Sequence, residues 1–217
     1  MADVDSRAGH GYATKEIFAY VNGVHAPHHE GLRFAFEAPE RFGLPAIQVG
    51  PSEGKLLTLL VRLGGVKRAV EIGTLAGYSA IRIAEALPPD GHLLSLEYEP
   101  KHAEVARQSL TNAGMGGRVT VLEGAAIDTL PTLVSRGPFD AVFLDADKKS
   151  YDLYGRWAAA NLRSGGLLLA DNVYLFGRLL DESEESAAMR RFHEEAARAF
   201  DSVCVPTPDG LLLGIRR

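Results

Sequence analysis

From about Lys67 to the end of the chain, short apolar runs alternate with helical patterns. RAVEIG (68–73) leads into GYSAIRIAEAL (77–87), and HLLSLE (92–97) into PKHAEVARQSLTNAG (100–114). RVTVLEG (118–124) precedes AIDTLPTLVSR, FDAVFLD (139–145) precedes SYDLYGRWAAANLR (150–163), and GGLLLAD (165–171) precedes ESAAMRRFHEEAARAF (185–200). Several of the apolar runs lack polar alternation, which suits strands covered on both faces. Strand–helix–strand repetition with short loops implies parallel strands joined by right-handed crossovers. The last two runs, DSVCVP and GLLLGIR, are separated by the turn-rich TPDG (207–210), which predicts an antiparallel hairpin at one edge. The expected fold is therefore α/β: an open, doubly wound, mostly parallel sheet of seven strands.

Residues 1–66 read differently. Candidate helices at 14–24, 30–42 and 52–63 suggest a helical extension or lid (1–66) on a core at 67–217, the whole forming one domain. In PSEGKLLTLLVRL (51–63), Leu56, Leu59, Leu60 and Leu63 fall on one face at helical spacing. That face could serve an interface or pack on the sheet. His25, His28 and His29 lie in HAPHH; a metal reading competes there with a solvated or lid-like loop, and the loop is favoured because no carboxylate pattern lies nearby.

Composition narrows the function classes. The 217 residues are 46% hydrophobic and 24% charged, enough for a full core. A net charge of −5 with no Lys/Arg-rich run argues against a nucleic-acid partner. No apolar run approaches the ~20 residues of a membrane span, and the first ten residues lack the apolar core of a signal peptide. Cys204 is the single cysteine, so no intrachain disulfide forms; in SVCVP it reads as a packing residue. The expectation is a cytoplasmic protein with no membrane partner.

The turn after the first strand, VEIGTLAGYS, holds Gly73 and Gly77 but no GxGxxG, so the pyrophosphate cradle of dinucleotide enzymes is missing. Two glycines still allow a sharp turn and close approach to a ligand, and Ser79 with the free amides of the helix start can donate hydrogen bonds. Glu97 ends the second strand, where an acid can accept from both ribose hydroxyls; alone it could equally cap the helix at 100–114. Together these residues favour an adenosine-type ligand without a pyrophosphate, such as S-adenosylmethionine.

Two more acids end strands: Asp145 the fourth, and Asp171, followed by Asn172, the fifth. If those strands are neighbours, two carboxylates and an amide oxygen meet at one sheet edge, a donor set suited to Mg²⁺. The absence of soft ligands disfavours zinc. Capping of the following helices explains one acid more readily than both with an adjacent asparagine. Lys148 follows Asp145 by three residues. Beside a dication its ammonium form is disfavoured, so it could take a proton from a hydroxyl; a surface lysine is the plain alternative, and Lys149 reads as one.

With VEIGTLAGYS, LEYEP, FDAVFLDADK and LLLADN in this order and spacing, the chain from about Gln48 onward resembles the cation-dependent, S-adenosylmethionine-dependent O-methyltransferases of the caffeoyl-CoA and catechol type. The resemblance implies a Rossmann-like class I methyltransferase fold. It implies that Glu71, Gly73, Thr74 and Ser79 contact the methionine and sugar portions of S-adenosyl-L-methionine, that Glu97 binds the ribose where many relatives have Asp, and that Val49, Ala126, Asp145 and Asp147 also meet the cofactor. Asp145, Asp171 and Asn172 would hold Mg²⁺, or another divalent cation such as Mn²⁺ or Ca²⁺. Asp145 and Lys148 would form the catalytic pair, Lys148 as general base. A homodimer acting on a small hydroxylated acceptor is implied as well. The chain departs from the family after the Asp-Asn pair, where VYLFGRLLD brings Tyr174 and Phe176, and in its N-terminal third. Both regions line the acceptor pocket in relatives. A sugar or polyketide hydroxyl therefore stands beside a catechol as acceptor. A nicotinamide-dependent oxidoreductase is opposed by the missing GxGxxG, and a non-catalytic binding module by the joint presence of Asp145, Lys148, Asp171 and Asn172.

Overall fold

The computed structural model describes residues 3–7, 9 and 11–217. The helices are α1 (Val4–Arg7), α2 (Lys15–His25), α3 (Glu30–Phe42), α4 (Pro51–Leu63), α5 (Tyr78–Ala84), α6 (Pro100–Asn112), α7 (Ala126–Leu133), α8 (Tyr151–Asn161) and α9 (Glu184–Ala199). The strands are β1 (Arg68–Ile72), β2 (His92–Glu97), β3 (Val119–Glu123), β4 (Phe139–Leu144), β5 (Leu162–Ala170), β6 (Phe200–Val205) and β7 (Leu211–Arg216). They form one sheet in the order β3-β2-β1-β4-β5-β7-β6. The first five are parallel; β7 runs antiparallel to both β5 and β6, as the TPDG turn predicted. This is the doubly wound Rossmann-like arrangement, with β1 and β4 as the central pair where the strand order reverses.

The unalternating apolar runs are buried on both sheet faces. One core cluster joins Val70, Ile72, Val142, Leu144 and Leu168 to Tyr151, Met189 and Phe192; another joins Ala69, Leu93, Ala141, Phe143 and Leu169 to Leu32, Leu57, Val61 and Ile81. Successive side chains of each strand thus feed opposite layers. Cys204 is partly buried against the first of these clusters.

Backbone pairing carries past the strands and aligns their carboxyl ends. The Gly73 amide donates to the Leu96 carbonyl (3.0 Å), the Asp145 amide to Ile72 (2.9 Å), and the Asp171 amide to Leu144 (2.9 Å). At Gly73 the chain turns with φ +100°, and a Cβ there would lie 2.0 Å from the Asp145 carbonyl oxygen, so only glycine lets these strand ends close up.

The helical extension follows the expected helices at 14–24, 30–42 and 52–63. α4 buries Gly54, Leu57, Thr58 and Val61, and of the leucine stripe Leu56 and Leu60 pack, partly buried, against the core. A Cβ on Gly54 would come within 2.9 Å of the Tyr78 ring; the small residues let α4 approach α5. Leu59 and Leu63 remain 43% and 84% exposed. Residues 26–29 of the histidine stretch form the expected loop between α2 and α3, with Pro27 and His29 exposed, Ala26 buried and His28 half-buried. His25 ends α2, His29 accepts from the Leu32 amide as the N-cap of α3 and pairs with Glu85 at 2.6 Å, and His28 is half-buried with Nε2 2.8 Å from the Tyr78 hydroxyl. Burial, then the positive charge of Arg82, holds the His28 pKa down at about 4, so its ring is neutral. His28 and His29 bind different groups, and among the described residues no group of three His, Cys, Asp or Glu is placed to hold a metal.

Candidate functional site

The carboxyl ends of β1, β2, β3 and β4 and the loop after β5 border one cavity of about 830 Å³. Its first wall is the glycine turn. Gly77, at φ +87°, ends that turn and begins α5, whose first turn presents Tyr78 and Ser79 to the cavity. Glu97 is 7% exposed at the end of β2. Its Oε2 accepts the amides of Thr74 (3.1 Å) and Leu75 (2.7 Å), and Oε1 accepts the amide of Glu99 (3.0 Å). The carboxylate therefore fixes the glycine turn while facing the cavity. Val49, Gly73, Thr74, Ser79, Glu97, Ala126, Asp145 and Asp147 all line this space.

Glu71 does not. It is completely enclosed in β1, where its Oε2 accepts from the Ser95 hydroxyl at 2.5 Å; Ser95 in turn contacts the Thr74 hydroxyl at 2.5 Å. Glu71 thus reaches the cavity wall only through other side chains. Burial pushes its carboxyl up to about 7, partly offset by the hydroxyls of Ser79 and Ser95.

At the opposite wall, Asp145 and Asn172 line the cavity, while Asp171, 5% exposed, lies just behind its surface. Asn172 adopts φ +56°, a left-handed conformation that asparagine tolerates. Burial, then the negative charges of Asp145 and Glu53, holds the Asp171 carboxyl well above the usual carboxylate range. Asp145, the buried Asp171 and the Asn172 carboxamide supply hard oxygen donors, the donor chemistry that a divalent cation takes, so these residues fit such an ion. Lys148 extends from the turn after β4, with Nζ donating to Asp145 Oδ1 (3.0 Å) and to the Tyr151 hydroxyl (2.7 Å). Tyr151 donates onward to the Asp171 carbonyl at 2.9 Å. One hydrogen-bonded chain therefore spans the ends of β4 and β5.

Sequence reasoning missed Tyr151, and also Tyr154, which lines the cavity and donates to Asp147 Oδ1 at 2.5 Å. Their signal is the spacing in DADKKSYDLY: Tyr151 and Tyr154 stand three and six residues beyond Lys148, one turn apart on α8. At the mouth, Phe176 is 60% exposed and lines the cavity. Leu175 and Phe176 both have positive φ (54° and 55°), a conformation costly to non-glycine residues. It is held by the turn before β7: the Asp209 carboxylate accepts the Phe176 amide (2.8 Å), and the Tyr174 amide donates to the Asp209 carbonyl (3.0 Å). Leu175 is buried, and Tyr174 lies against Gly210.

Residues 25–217 match the O-methyltransferase family. The chain is 44% identical over 186 residues to catechol O-methyltransferase of Niastella koreensis, covering 85% of this chain and 82% of that protein. It is 42% identical over 174 residues to catechol O-methyltransferase of Mycobacterium tuberculosis, covering 80% and 79%. The crystal structure of an O-methyltransferase from Bacillus cereus in complex with S-adenosylhomocysteine superposes with a TM-score of 0.88 at 32% identity, covering 93% of this chain and 97% of that one. A Rossmann-like sheet with its cavity at the strand ends, matched along nearly its whole length to methyl-transferring relatives, places the chain in the class I S-adenosylmethionine-dependent O-methyltransferase family, the group that includes catechol and caffeoyl-CoA O-methyltransferases.

Proposed function

We propose that this enzyme methylates one hydroxyl of a catechol-like vicinal diol, with a divalent cation such as Mg²⁺ held by Asp145, Asp171 and Asn172. What supports this reading is that Asp145, Lys148 and Asn172 line the same cavity as Glu97 and the glycine turn, with the buried Asp171 next to Asn172 in the chain. Glu97 would take the ribose of S-adenosylmethionine, and Val49, Gly73, Thr74, Ser79, Ala126 and Asp147 would line its binding site. Glu71 would act from beneath through Ser95 and Ser79.

In the transfer, the acceptor oxygen attacks the sulfonium methyl, the carbon–sulfur bond breaks, and the hydroxyl proton passes to Lys148 Nζ, which must first be neutral. Tyr151 and Asp145 fix the position of that nitrogen. When bound, the cation supplies positive charge that stabilises the ionised acceptor. Holding both reactants at one cavity removes the entropic cost of bringing them together. The ring of Phe176 at the mouth, with the apolar Ile47, suits a flat aromatic acceptor over a sugar.

A second copy of the chain is the partner we favour. α2 has no buried residue, and Ile17, Tyr20 and Val24 are exposed, as are Leu59 and Leu63 of α4, which packs beside it. The test of the proposed reaction is mass spectrometry of products from a panel of vicinal diols, aromatic and aliphatic, with Mg²⁺ and with excess chelator. Monomethylation of aromatic diols that chelator abolishes supports the reading. Methylation confined to aliphatic or sugar hydroxyls overturns the acceptor, and full turnover in chelator overturns the metal.

A further inference from the structure

The hydrogen-bond count at Glu97 leaves it one acceptor short. A carboxylate offers about two acceptor positions per oxygen. Three of the four are filled by the amides of Thr74, Leu75 and Glu99. One position on Oε1 remains, whereas a ribose presents two hydroxyls. An ionisable neighbour of that oxygen is His102, on the first turn of α6, whose side chains point back toward the end of β2. Its Nδ1 lies 3.4 Å from Glu97 Oε1, and no hydrogen bond joins them. The ring is mostly buried, with 19% of its side chain exposed, and it borders the cavity together with Glu97.

We propose that His102 is a second nucleoside-binding residue, which takes the ribose hydroxyl that Glu97 cannot accept. This rests on the reading that Glu97 holds the ribose. An imidazole suits the role because its ring nitrogens can each donate or accept, and a hydroxyl can do both. The other polar side chains on this part of the wall are less available. The Thr74 hydroxyl is engaged by Ser95 and the Leu96 carbonyl, and Tyr98 is 67% exposed. Pro100 as the first residue of α6 fixes where the helix starts and so fixes the placement of His102 two residues later.

The test is calorimetric binding of S-adenosylhomocysteine and its 2′-deoxy and 3′-deoxy analogues to the wild type, His102→Ala and His102→Gln. Loss of one hydrogen bond to the ribose predicts about tenfold weaker binding of S-adenosylhomocysteine by His102→Ala. One deoxy analogue should lose nothing further, His102→Gln should recover part of the affinity, and the rise in KM for S-adenosylmethionine should outrun any fall in kcat. Equal weakening of all three ligands would mark His102 as a packing residue and overturn the proposal, as would unchanged affinity. If the wild type binds both deoxy analogues as tightly as the parent, the ribose role of Glu97 fails as well, and the two failures are thereby told apart.

Discussion

Glu71 lies at full burial in the middle of β1, and burial lifts its carboxyl from an ordinary 4.5 to about 7. A group whose folded-state pKa is raised binds more protons in the native than in the unfolded chain between those two values. Its contribution to stability is therefore complete below about pH 4.5 and is lost as pH rises through about 7, a swing on the order of 3 kcal/mol. The wild-type melting temperature, with cofactor absent, should fall over that window, and Glu71→Gln should flatten the decline; an unchanged slope in the variant would assign it to other groups. Lys148 makes a different prediction. If its nitrogen receives the acceptor proton, Lys148→Ala should lower kcat by about a hundredfold while affinity for S-adenosylhomocysteine falls far less. An unchanged turnover number would remove Lys148 as the base. Asp145, Lys148, Asp171, Asn172 and Glu97 were legible in the sequence because each stands where an apolar run stops. Tyr151 and His102 were not, because their partners lie on other elements and a lone tyrosine or histidine in a helix reads as packing or surface.

At the scale of elements, the strands were the easiest to read, since a run buried on both faces needs no partner information to be recognised. α4 shows where such reading stops. Four of its leucines stood out on one face, yet the buried face is Gly54, Leu57, Thr58 and Val61, where the small Gly54 and Thr58 allow close approach to Tyr78 and Arg82. Only the outer part of the leucine stripe is left uncovered, with Leu59 43% and Leu63 84% exposed beside an α2 with no buried residue. If a second copy covers this surface, Leu63→Glu should convert a dimer into a monomer, read by light scattering after size exclusion, with the fold retained by circular dichroism. A wild type that is already monomeric at micromolar concentration would rule the interface out. The histidines of HAPHH belong here too: His28 and His29 bind groups 50 and 56 residues away in α5 and just beyond it, a pairing no local pattern reveals.

In the whole molecule, the strand order places the glycine turn and Glu97 on one side of the β1–β4 junction and the acidic ends of β4 and β5 on the other, bordering one cavity. Ligands of open α/β sheets bind at such a reversal of strand order, and here it brings the wall that holds Glu97 and the glycine turn against the wall that holds Asp145, Lys148 and Asn172. Among the described residues no helix is long and apolar enough to cross a membrane. The identity of the acceptor was the part least open to sequence reading. Phe176 stands at the mouth on a left-handed backbone whose amide is held by Asp209, 33 residues away. The most direct measurement is the initial rate of methyl transfer from S-adenosylmethionine to an aromatic vicinal diol as free Mg²⁺ is raised from a chelated baseline. A rate that climbs saturably from near zero, and stays near zero in Asp145→Ala, is the expected result; a rate indifferent to Mg²⁺ would contradict a cation held by Asp145, Asp171 and Asn172.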